Sequence, residues 1–173
     1  MARNLITLIA GFLLLLFEAV YVGLFAVDNW LPHVGVGVMI YLALRKGLFE
    51  ACVAVLLLAW VADLLSAAPP GVVAMSLTLT FFAVYVSNKT LAYRGWPVRI
   101  GLSLVAALFA QTASALMVVA LTRELSVLPA LALAGVPSAL LAPVGLAVSW
   151  VALAWIDKTF AARQRGLLTT SSG

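Results

Sequence analysis

The sequence predicts an all-α integral membrane protein with six transmembrane helices. Three observations carry that expectation. Of the 173 residues, 65% are hydrophobic and only 9% are charged, far less charge than a soluble domain of this size needs. The apolar residues fall into six runs, several of them near twenty residues long, which is the length a helix needs to cross a bilayer. If all six runs cross, nine of the ten Lys and Arg residues fall on one side.

The runs are roughly 5–27, 31–44, 47–65, 71–88, 98–121 and 131–156. The first follows Met-Ala-Arg-Asn and is longer than the apolar core of about 7–15 residues in a cleavable signal, so it reads as a retained span. The second opens on Leu31-Pro32-His33 and would reach only about 21 Å, short enough for a re-entrant segment. The third and fourth are joined by the turn containing Pro69-Pro70-Gly71. The fifth is a comfortable span. The sixth is too long, and Pro137 and Pro143 should kink it or divide it into an interfacial piece and a span.

Charge resolves the second run. With six crossings, Arg3, Arg45, Lys46, Lys89, Arg94, Arg99, Lys158, Arg163 and Arg165 share one side, and Arg123, next to Glu124, stands alone on the other. That bias marks the cytoplasmic side, and a re-entrant second run would destroy it. Both termini are therefore expected in the cytoplasm and Asp63 towards the outer face. Tyr41, Tyr93, Trp96 and Trp155 then sit near the inner boundary and Trp30 near the outer one. Length and short loops imply a single membrane domain over 1–160, with a disordered cytoplasmic tail at 161–173. The basic residues act as topology signals and form no groove-lining patch, so no nucleic-acid partner is expected.

The stretch from Ala59 to Gly71, which includes Trp60, Asp63 and Ser66, organises the chain. Proline ends a helix but is tolerated in the first turn of the next, so a tight hairpin forms here. A carboxylate beside the bend is costly unless it reaches water or finds donors. Asp63 is expected to accept from the free N–H groups that open the fourth helix, locking the hairpin. A contact residue for a partner, or a solvated acid, are the alternatives.

Glu18 and Gln111 are the other polar residues well inside spans, each thirteen residues from the start of its run. Their matched depth suggests a hydrogen bond between the first and fifth spans, of the kind worth about 0.6–2 kcal/mol in membranes. A polar cavity or a proton relay is the functional alternative. Glu50 can reach the cytoplasmic interface. Small residues mark close helix approaches at Gly35-Val36-Gly37, at Ala106, Ala110 and Ser114, and at Gly145 with Ser149.

Enzyme signatures are missing. The single histidine, His33, has no orienting acid specified by the sequence, and no HExxH, GxSxG or phosphate loop occurs. The single cysteine, Cys52, excludes an intramolecular disulfide and a CxxC metal site. No catalytic residue, metal or cofactor is expected.

The chain resembles the bacterial rod shape-determining protein family MreD. The resemblance rests on a Pro-led second span, Leu31-Pro32-His33, ending in Tyr41-Leu42-Ala43-Leu44-Arg45-Lys46-Gly47, followed by Ala62-Asp63-Leu64-Leu65-Ser66 and Pro69-Pro70-Gly71. The family often has an acid where this chain has His33, and glycine before the aspartate where it has Ala59 and Ala62. The resemblance implies a non-enzymatic scaffold of the cell-elongation machinery in the bacterial cytoplasmic membrane, needed for rod shape and lateral peptidoglycan synthesis. Its implied partners are MreC, the actin-like MreB, the RodA glycosyltransferase with its penicillin-binding transpeptidase, and membrane lipid. Because the MreD fold is also similar to the substrate-binding subunits of energy-coupling-factor vitamin transporters, a six-helix small-molecule binder is the alternative.

Overall fold

The computed structural model describes residues 2–25, 33–66, 68–91, 95–123 and 128–170. They form six helices: α1 (Ala2–Phe25), α2 (Val34–Arg45), α3 (Leu48–Leu65), α4 (Val72–Leu91), α5 (Trp96–Thr122) and α6 (Leu128–Thr170). No strand occurs among the described residues. Four stretches are long and apolar enough to cross a membrane: Leu48–Leu65, Val72–Lys89, Trp96–Thr122 and Gly135–Thr159. Ile6–Tyr21 and Val34–Arg45 are apolar but shorter.

The shortest helix is the centre of the molecule. α2 packs against all five others, and those five close a ring around it in the order α1, α3, α4, α5, α6. Every residue from Val34 to Ala43 is buried. A helix apolar on all sides has no face to give to water and is stable only when surrounded. α2 begins at Val34, with His33 as its N-cap, later than the expected start at 31; Leu31 and Pro32 lie outside the described residues.

Contacts between distant residues show that successive helices alternate in direction. Lys46 meets Thr7 and Asp157 at one end of the bundle, and Arg99 lies against Trp150 at that end too. At the other end Glu18 meets Gly35, and Asp63 meets Gly71, Val73 and Ala74.

α2 and α6 cross with their backbones in near contact. A methyl group added at Gly37 would come within 2.7 Å of both the Gly145 carbonyl oxygen and Ser149 Oγ. One added at Gly145 would lie 2.7 Å from the His33 carbonyl oxygen. Ser149 Oγ donates to the Val34 carbonyl across this crossing, at 3.1 Å. Small residues with one hydroxyl between them are how helices approach where lipid removes any hydrophobic drive between them. Ala106 and Ala110 are buried on α5, and Ser114 above them is half-buried.

Two readings of the C-terminal third need correction: a division of the sixth run at its prolines, given as the alternative to a kink, and a disordered tail. α6 is one continuous helix of 43 residues that includes Pro137 and Pro143, so neither proline divides it. Surrounding helices can compensate the backbone carbonyls that a proline frees, so a proline is tolerated inside an enclosed helix. The stretch from Ala161, expected to be disordered, continues α6 to Thr170. Its Ala, Arg, Gln and Leu residues all favour helix. Residues 171–173 lie outside the described residues.

Candidate functional site

Two carboxylates at one end of the bundle cap helices other than their own. α3 ends at Ser66, whose N–H reaches back to the Asp63 carbonyl at 3.2 Å. The Ser66 hydroxyl then accepts from Ala68 N at 3.2 Å, starting the return. Asp63 Oδ2 accepts from Gly71 N at 2.6 Å, and Oδ1 accepts from Val73 N at 3.0 Å and Ala74 N at 3.2 Å. The first N–H groups of a helix have no partner within it, and their aligned dipoles favour a negative charge. Asp63 supplies both needs for α4. Gly71 has φ +89°, which a residue with a Cβ adopts only with strain, so the turn that presents this donor requires glycine. Pro69 is half-buried and Pro70 exposed. Trp60, one turn before Asp63, is 61% exposed and points away from the bundle.

Glu18 does the same for α2. The N-cap of α2, His33, makes no side-chain capping bond, and Glu18 Oε2 accepts from Gly35 N at 2.9 Å in its place. Glu18 therefore does not pair with Gln111, and the expected bond between the first and fifth spans is absent. Gln111 Nε2 lies 2.7 Å from His33 Nε2 and 3.2 Å from Ser138 Oγ, joining α5 to α2 and α6. An equal distance from the start of each run says nothing about lateral neighbours. α1 and α5 are not adjacent in the ring, so the two side chains meet different partners.

These residues border two cavities that share His33, Val36, Val73 and Leu77. One, of about 470 Å³, opens among α1, α2, α3 and α4, and its wall includes Glu18, His33 and Ser66. The other, of about 280 Å³, lies between α2, α4 and α5 and is lined in part by Gln111, Ser76 and Ser114. His33 stands between them. Among the described residues no three His, Cys, Asp or Glu side chains come together as a metal site.

Because Glu18 and Gln111 serve separate contacts, their effects should add. Glu18→Leu and Gln111→Leu should each lower the melting temperature in detergent, and the double variant should show the sum. A double variant clearly more stable than that sum would restore a direct interaction.

The opposite end holds a network that the sequence reading missed. Lys46 Nζ donates to Asp157 Oδ1 and Thr7 Oγ1, each at 3.2 Å, and Tyr41 OH donates to Asp157 Oδ2 at 2.5 Å. This ties α1, α2 and α6 together around a lysine only 6% exposed. One signal was available: Asp157 is an acid at the end of the sixth run, on the side where basic residues gather. Tyr41 was read only as an interfacial aromatic. Comparison of the chain with protein-family models, with curated proteins and with solved structures found no match.

Proposed function

We propose that this chain is a non-enzymatic scaffold of the bacterial cell-elongation machinery, with six spans and both termini in the cytoplasm. The observation that supports this reading is where the MreD-like residues lie. The stretch from 33 to 71 contains the helix around which the bundle is built and the Asp63 bracket that sets its neighbouring hairpin. The same residues would hold a fixed outer surface for partner helices. α3 offers one such surface, with Phe49, Val53, Leu56, Trp60 and Leu64 exposed along a single stripe at helical spacing. On this reading the partners are MreC, MreB, RodA and its transpeptidase, in the cytoplasmic membrane.

The 470 Å³ cavity with Glu18 and His33 on its wall favours a second reading, a small-molecule binder of the transporter-subunit kind. Its size falls within the range of ordinary ligand sites, roughly 300–1,000 Å³. Depletion in a rod-shaped host separates the two. The scaffold reading expects wide or round cells that no vitamin rescues, and cell-wall synthesis proteins copurifying in mild detergent. Normal shape, with growth restored by one added nutrient, would favour the binder.

A further inference from the structure

At the bundle end opposite Asp63, two arginines from different helices lie against one indole. Arg99 Cζ is 4.1 Å and Arg45 Cζ 5.3 Å from the Trp150 ring centroid, and Arg99 Cζ is also 5.7 Å from that of Trp96. Trp150 is 6% exposed and is held edge-on by Tyr41 at 5.2 Å and by Trp96 at 6.2 Å. Indole faces attract guanidinium groups, so this platform fixes both charges in place. It does not neutralise them.

Among the described residues no carboxylate pairs with either arginine; the ion pair there is Lys46–Asp157. Of the two acids described at this end, Asp157 has its oxygens taken by Lys46 and Tyr41, and Glu50, in the first turn of α3, forms no ion pair with either arginine. The Nε of Arg99 is buried with no hydrogen-bond partner. Two like charges against one ring repel each other, and a shared anion would relieve that repulsion. We infer that Arg45, Arg99 and the Trp150 platform form a binding site for the phosphate of an anionic phospholipid headgroup.

Guanidinium forks match the paired oxygens of a phosphate, and such contacts are stronger than neutral hydrogen bonds. A lipid fits better than a free anion because the same helices expose apolar side chains: Trp96 and Val98 on α5, Val151 and Trp155 on α6. Acyl chains can lie along these while the phosphate takes the arginines. The inference requires membrane residence only and does not rest on the scaffold reading, so its failure would leave that reading untouched.

The test uses the full chain purified in mild detergent and offered equal amounts of phosphatidylglycerol and phosphatidylcholine with the same acyl chains. Retained lipid is counted by native mass spectrometry. Wild type should prefer phosphatidylglycerol, and each arginine removed should lower the preference about fivefold. Arg45→Gln is read alone and in the Arg45→Gln/Arg99→Gln pair. Arg45 is exposed and its replacement is compatible with folding, so the single variant decides the matter even where the double variant does not fold. Lys89→Gln, an exposed cation near Tyr85, is the comparison and should change nothing. An unchanged preference in Arg45→Gln would overturn the inference. So would an equal loss in Lys89→Gln, which would mean diffuse attraction. Arginine-dependent binding of inorganic phosphate without any lipid preference would make this a free-anion site and overturn it too.

Discussion

Asp157→Leu should be the most destabilising single change at the Lys46 end, at about 3–5 kcal/mol, because it leaves a buried lysine without its counterion. The Lys46 side chain is 6% exposed and, among the described residues, its ammonium has the Thr7 hydroxyl as its other partner. Tyr41, 1% exposed, loses the carboxylate that accepts from its hydroxyl. Lys46→Met should cost about half as much. The carboxylate then keeps Tyr41 and is itself 24% exposed, so it retains a donor and some water. The double variant Lys46→Met/Asp157→Leu should be more stable than Asp157→Leu alone, since no buried charge remains unpaired. Thermal melting in detergent checks the order, with Asp157→Leu falling by on the order of 10 °C. If Asp157→Leu melts with wild type, the network carries no stability and the three helices are held by apolar packing alone.

What could be read from the sequence divides by how local the information is. The Asp63 bracket was legible because its acceptor and donors lie within eleven residues of each other, with prolines and a glycine fixing the turn between them. The close approach at Gly37 and at Gly145 with Ser149 was legible too, because small residues in an apolar run have few other uses. The Glu18 contact was not. The acid stands out in its apolar run, but its partner is a helix end seventeen residues onward, and position within the run points to Gln111 instead. The central place of α2 was equally hidden. Four of the other helices also carry long apolar stretches, so hydropathy could not single out the helix that the others enclose. The Lys46–Asp157 pair spans 111 residues, and the charge bias alone offers a sufficient reason for a lysine at that position.

Asp63→Leu should lower stability by about 3 kcal/mol, because three N–H groups at the start of α4 lose their acceptor together. The site is half-buried, so water recovers part of what each donor loses, which keeps the total below three full desolvation penalties. Asp63→Asn should fall between wild type and Leu. Its one carbonyl oxygen can keep the Val73 and Ala74 donors, but its NH₂ would face Gly71 N, a donor against a donor. It also gives up the charge that the N-terminal dipole of α4 favours, worth about 0.3–1 kcal/mol. The expected order of melting temperature is therefore wild type, Asn, Leu. Hydrogen exchange should localise the loss, with amides of Gly71, Val73 and Ala74 exchanging faster while those of buried α2 stay protected. The scaffold reading adds a second measurement, since copurifying partners should decline in step with the hairpin. An Asp63→Leu variant as stable as wild type that nevertheless loses its partners would make Asp63 a contact residue rather than a bracket. One that loses neither would show that Pro69, Pro70 and Gly71 hold the hairpin by themselves.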